Sequence, residues 1–144
     1  MKIKIISVGK VKDREIRAKI DDYIARIRHD ASVELVWVKD SNIKTEGIKI
    51  HNLLKKEAGV VIVLSEEGTG RTSKTFAQKF LRDTGSATFI LGGPYGLDTA
   101  VKDRADHILS LSKMTFPHEM ALLFLTEQIY RGLSINLNRN YHKD

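Results

Sequence analysis

Hydrophobic positions along the chain fall into two periods. Residues 2–8 and 33–38 carry the alternating or near-continuous apolar pattern of β-strands. Residues 13–27 repeat at three and four, which puts Ile16, Ile20, Tyr23 and Ile27 on one face of a helix. A second helical pattern covers residues 44–57. Residues 60–64, an apolar run after Gly59, and residues 87–91 read as strands covered on both faces. Between them Thr72 or Ser73 is placed to cap a helix reaching Arg82, since a side-chain hydroxyl accepts from the free N–H groups of a first turn, and Gly85 ends it. Asp98 is placed to cap a short helix, and residues 108–111 form the last strand. Strands alternating with helices predict an α/β three-layer sandwich with a mainly parallel sheet.

A long apolar helix follows Pro117, a residue suited to a helix's first turn because the N–H it lacks would be unpaired there. Residues 120–125, MALLFL, form a block rather than a stripe. Such a helix must be covered on more than one side, by the core alone or by the core and a second copy of the chain.

At 144 residues and 42% hydrophobic content the chain suffices for one domain with a real core, and nothing in the composition marks a second. The absence of cysteine excludes disulfides, thiolate metal sites and cysteine nucleophiles. The apolar start breaks at Ser7 and Gly9, too early for a signal peptide, and no segment has membrane-spanning length. A soluble cytoplasmic protein is expected. Lys and Arg total 24 against 18 acidic residues, net +6, with Lys2, Lys4, Lys10, Lys12, Arg14, Arg17, Lys19, Arg26 and Arg28 crowding the first 28 positions. That excess suits a polyanionic partner, nucleic acid above all, or simply a soluble basic surface. A metal hydrolase is disfavoured, because His118-Glu119 has no second histidine one helical turn away.

Three loops each follow an apolar strand: residues 64–68, LSEEG; residues 92–96, GGPYG; and residues 112–116, SKMTF. The carboxyl ends of parallel strands share one edge, where α/β proteins bind ligands. The middle loop lets backbone approach a ligand, but its G-G-x-x-G spacing is neither a dinucleotide fingerprint nor a P-loop. A nucleotide-like ligand held by backbone in an apolar pocket fits it better than a phosphate cradle, and a plain tight turn remains the alternative.

Several stretches resemble the RlmH-type members of the SPOUT (α/β-knot) methyltransferases. These are Ile5-Ile6-Ser7-Val8-Gly9-Lys10, the loop from Leu64 to Gly68, Gly92-Gly93-Pro94-Tyr95-Gly96-Leu97 and Arg104-Ala105-Asp106. They continue through Leu109-Ser110-Leu111-Ser112-Lys113-Met114-Thr115-Phe116-Pro117-His118 and Glu127-Gln128-Ile129-Tyr130-Arg131 to Tyr141-His142-Lys143. The resemblance spans nearly the whole chain. It implies a C-terminal trefoil knot and a homodimer; no metal is expected. It further implies an S-adenosyl-L-methionine-dependent enzyme that methylates ring nitrogen 3 of a pseudouridine in large-subunit ribosomal RNA, and the shortness of the chain favours the assembled ribosome over free RNA as the substrate.

By position, the resemblance puts cofactor contacts on Leu64, Gly93, Ser112, Lys113, Met114, Thr115, Phe116 and Pro117. Read singly, Leu64 and Met114 are also ordinary core residues, Gly93 a turn glycine and Lys113 a solvated charge. It also implies an active-site role for Tyr141 and His142, across the dimer from the cofactor loops: Tyr141 stacks on or positions the base, and His142 orients it or moves its proton. Arg131 is the candidate for an RNA phosphate contact or charge stabilisation, or equally for a surface or intersubunit ion pair. His118 heads the last helix, as a capping or core histidine or a site residue. Residues 136–140, NLNRN, depart from the glycine and proline or alanine usual there. Asn138 is tolerable, since asparagine visits left-handed backbone readily. Two alternatives stay open: another RNA target for the same fold, and a non-catalytic RNA-binding module using the basic first helix.

Overall fold

The computed structural model describes residues 1–56 and 58–143. Five strands, β1 (Lys2–Val8), β2 (Ser32–Val38), β3 (Val60–Gly70), β4 (Ser86–Leu91) and β5 (His107–Ser110), form one sheet in the order β2-β1-β4-β3-β5. Every neighbouring pair is parallel. The helices are α1 (Arg14–Ile27), α2 (Ile43–Leu54), α3 (Ser73–Phe76), α4 (Thr99–Arg104) and α5 (His118–Asn136), with α3 running on as a π-helical segment, Ala77–Arg82. The helix expected over residues 44–57 ends at Leu54, and Glu57 lies outside the described residues.

The apolar runs make physical sense once both faces of the sheet are covered. Ile3 and Ile5 of β1 and Phe89 of β4 cluster with Ile20, Ile24 and Ile27 of α1 and with Leu122, Leu125 and Ile129 of α5. The alternate positions Ile6, Val8, Val61, Val63 and Ile90 cluster with Ile50 and Leu54 of α2 and Val101 of α4. The result is the three-layer α/β sandwich. Helix α1 begins as its sequence dictates: Asp13 Oδ1 accepts from the Glu15 and Ile16 N–H groups at 2.9 and 3.1 Å. Its buried face is turned slightly from the expected one, with Ile24 buried and Ile16 and Tyr23 at the border. Tyr23 instead meets Tyr130 of α5, ring centroids 6.2 Å apart.

Two elements depart from expectation in ways that shape the site. β3 does not stop at Leu64 but continues to Gly70, and Leu109 of β5 aligns with both Leu64 and Thr69. Residues 65–68 therefore leave the ladder as an excursion above it. The helix capped by Thr72, whose Oγ1 accepts from Thr75 N–H at 3.1 Å, widens to π-helical geometry at Ala77, where Asn136 Nδ2 donates to the Ala77 carbonyl at 3.1 Å.

In α5 the apolar block is only partly absorbed: Leu122 and Leu125 are buried, while Met120, Leu123 and Phe124 keep accessible surface. Among the described residues no helix is long and apolar enough to cross a membrane. Ser134 on the same helix is fully buried, and its hydroxyl has no partner among the described residues. Ser134→Ala is therefore expected to stabilise the fold by about 1 kcal/mol, because it removes an unpaired buried hydroxyl at little loss of volume. A urea midpoint shift at unchanged slope measures it.

Candidate functional site

Because all strands run one way, the segments after β3, β4 and β5 emerge along a single edge, and they wall a cleft of about 460 Å³. The excursion of β3 supplies Ser65, Glu66 and Glu67, with Leu64 beneath. The loop after β4 is a tight turn in which the Gly96 N–H donates to the Gly93 carbonyl at 3.0 Å. A Cβ on Gly92 would lie 2.7 Å from the Gly96 backbone, so only glycine lets the two chains approach this closely. At Gly92, Gly93 and Gly96 this wall carries no side chain.

The loop after β5 is shaped by its serines. Ser110 Oγ donates to the Ser112 carbonyl at 2.7 Å, and Ser112 Oγ accepts from Met114 N–H at 3.0 Å. Pro117 then stands at the N-cap of α5, and the Phe116 ring meets Phe124 edge-on at 5.1 Å. His118 also lines the cleft; its Nε2 lies 2.9 Å from Oγ of the fully buried Ser7, at the end of β1. Glu119 accepts from the Lys12 and Asp13 N–H groups at 2.8 and 3.3 Å, fixing the β1–α1 loop to the head of α5.

Of the expected cofactor residues, Leu64, Gly93, Ser112, Met114, Thr115 and Phe116 line this cleft. Lys113 and Pro117 are exposed and stand outside its lining. Sequence reasoning passed over Lys102 of α4, whose Nζ lies 3.3 Å from Glu67 Oε1 across the cleft wall. No spacing in the sequence marks it, since α4 and the β3 excursion meet only in the fold.

The three expected active-site residues come together elsewhere, around Glu127. Arg131 Nε donates to Glu127 Oε1 at 2.8 Å, and the Tyr141 hydroxyl donates to the same oxygen at 3.2 Å. The Arg131 guanidinium lies over the Tyr141 ring at 4.8 Å, Tyr130 meets that ring edge-on at 4.8 Å, and Tyr23 hydrogen-bonds its hydroxyl at 3.3 Å. Burial, then the hydrogen bond to Tyr23, pushes the Tyr141 phenol well above its ordinary range, and the bond to Glu127 raises Arg131. Arg131 Nη1 lies 3.1 Å from His142 Nδ1. A guanidinium only donates, so in this contact Nδ1 accepts and the ring N–H is left on Nε2. Glu127 belongs to a stretch that carries the resemblance but was assigned no role there, although its i,i+4 spacing to Arg131 was the available signal.

The tail reaches this position by two devices. Asn138 adopts the left-handed conformation, φ 58°, that asparagine tolerates. Arg139 then forks onto Asp30 with bonds of 2.7 and 2.6 Å, which hold the Asp30 carboxyl below the usual aspartate range. Cleft and cluster nevertheless stand apart in one chain: Arg131 is 13 residues beyond His118 on α5, roughly 20 Å along the axis at 1.5 Å per residue. Among the described residues no three His, Cys, Asp or Glu side chains gather to hold a metal.

Known proteins agree with this architecture. The family model described as "Predicted SPOUT methyltransferase" matches residues 1–142. A protein of Acholeplasma laidlawii named ribosomal RNA large subunit methyltransferase H is 42% identical over 151 residues, covering 99% of this chain and all of its own. A protein of the same name from Bifidobacterium adolescentis is 39% identical with the same coverage. Among solved structures, a probable methylase family protein of Haemophilus influenzae superposes with TM-score 0.58 at 14% identity, over 99% of this chain and 70% of that one. The SpoU methyltransferase AviRb of Streptomyces viridochromogenes, in complex with the cofactor AdoMet, gives 0.51 at 14% identity, over 89% and 56%. The structural likeness shows a shared fold, the full-length sequence match shows descent, and the chain belongs to the SPOUT methyltransferase family.

Proposed function

We propose that the protein is an S-adenosyl-L-methionine-dependent methyltransferase of large-subunit ribosomal RNA that modifies ring nitrogen 3 of a pseudouridine on the assembled ribosome in the cytoplasm. It acts as a homodimer of trefoil-knotted chains. The observation that carries this reading is the pairing of a glycine-walled cleft with a separate Arg–Tyr–His cluster in a chain whose full-length relatives bear the name of a ribosomal RNA methyltransferase.

The cleft fits the cofactor's chemistry. The bare backbone around Gly92 and Gly93 can hydrogen-bond a flat base, Leu64 and Phe116 offer apolar cover, and Glu66, Glu67 and Lys102 supply charges for a zwitterionic end. The cofactor supplies a methyl group on a positively charged sulfur that is a good leaving group. What the protein must add is alignment of the nucleophile and release of one ring proton.

The second copy answers the separation along α5. Tyr141, His142 and Arg131 of one protomer would complete the cleft of the other, over the half-covered Met120, Leu123 and Phe124. In the arrangement described, Tyr141 gives its one O–H to Glu127, while His142 presents an N–H at Nε2. His142 therefore donates to a carbonyl edge of the pyrimidine, Tyr141 positions the base, and the Arg131 charge favours the ring anion left when the nitrogen gives its proton to water.

Labelled methyl transfer to ribosomes lacking the modification tests the proposal. Label recovered in a pseudouridine is the expected result. Transfer to no ribosomal particle would discard the substrate, and equally efficient transfer to naked RNA fragments would discard the assembled ribosome.

A further inference from the structure

Large apolar side chains exposed on this molecule are Ile48, Tyr95, Met114 and Leu137, and Tyr95 is the most exposed at 84%. Tyr95 and Met114 both line the cleft. The other three tyrosines, Tyr23, Tyr130 and Tyr141, pack on one another. Tyr95 instead has no ring contact or hydrogen bond among the described residues.

Its support is nonetheless rigid. Tyr95 sits in the turn closed by the Gly93–Gly96 hydrogen bond, behind Pro94, whose ring fixes its own φ, and above the close approach of Gly92 to Gly96. Only the two side-chain torsions remain free, so little entropy is lost when a flat partner covers the ring. A large aromatic held in water at the mouth of a ligand cleft offers an apolar face with a wet hydroxyl end, and the soft thioether of Met114 lines the same cleft.

We propose that Tyr95 is a stacking residue for an unpaired nucleobase of the RNA substrate at the mouth of the cleft. The inference rests on the RNA methyltransferase reading above and assigns that substrate a contact on the cofactor-bearing protomer, separate from the Arg131–Tyr141–His142 cluster. Stacking uses the face of any base, so it holds the strand without selecting its sequence. Aromatic stacking also distinguishes a splayed strand from a closed duplex, whose bases present no free face.

The test compares Tyr95→Ala and Tyr95→Phe with the unaltered protein, measuring cofactor affinity by calorimetry and methyl transfer to unmodified ribosomes. Tyr95→Ala is expected to raise KM for the ribosomal substrate about tenfold, the scale of one base stacked on one ring, with cofactor affinity within about twofold. Tyr95→Phe, which keeps the face, is expected to stay within about twofold on both. An unchanged KM in Tyr95→Ala overturns the inference while leaving the methyltransferase reading intact. So does an equal loss of cofactor affinity, which would make Tyr95 a cofactor cover, or a Tyr95→Phe defect as large as that of Tyr95→Ala, which would assign the work to the hydroxyl. Failure of the unaltered protein to methylate or bind any RNA overturns both.

Discussion

His142→Ala is expected to lower methyl transfer by roughly 10²-fold or more while leaving S-adenosyl-L-methionine affinity unchanged, since mispositioning a nucleophile by about 1 Å already costs that much. The unchanged affinity follows from the role assigned to it, because His142 is not among the residues lining the cleft and in the dimer would meet the base rather than the cofactor. A second substitution separates the two roles open to the imidazole. Gln keeps an N–H donor and takes up no proton at neutral pH, so His142→Gln is expected to recover at least about tenfold over Ala if the ring orients the base. Equal inactivity of the two variants in a single-turnover assay would instead assign it the proton.

Gly92→Ala is expected to weaken cofactor binding by about 10²-fold, with a stability loss of about 1–3 kcal/mol, the range for atoms forced into a packed site. The new Cβ would fall 2.7 Å from the carbonyl carbon and oxygen of Gly96, both backbone atoms that cannot rotate aside. Relief requires opening the turn that bares the backbone wall, so the effect belongs on affinity more than on the catalytic step; calorimetry and thermal unfolding together read it. Mixing the two defective proteins gives a sharper result. If cleft and tail of one site come from different protomers, a heterodimer of Gly92→Ala and His142→Ala chains has one site with both parts intact, and activity returns. If both parts belong to one chain, every site in the mixture stays defective.

How much of this was legible beforehand varied with the kind of interaction involved. The strands and helices followed from burial on two faces of a sheet and from caps such as Thr72, which are local and leave a mark in the sequence. The glycine-walled turn was visible in the same way. The extension of β3 through residues 65–70 was not, because SEEGTG carries no apolar alternation and rejoins the ladder on β5 only at Thr69 and Gly70. Lys102 and Glu67 are joined only by the packing of α4 beside that extension. Glu127 was within reach, one helical turn before Arg131, yet its role as acceptor for both Arg131 and Tyr141 depends on where the tail returns. The solitary exposure of Tyr95 is a tertiary property, since nothing in GGPYG distinguishes a tyrosine facing water from one turned inward.

The strand order also governs how the chain comes to be folded. β1 lies between β2 and β4, so Lys2 aligns with Ser32 on one side and with Ser86 on the other. The first pairing closes a loop of moderate length; the second has to wait for α1, α2, β3 and α3 to be gathered in between. Loop-closure entropy is lost before the contacts that offset it exist, which places refolding among slow relaxations of roughly milliseconds to seconds. Until β4 arrives, one edge of β1 is an open template for its counterpart on another molecule, so the refolding yield should fall as protein concentration rises.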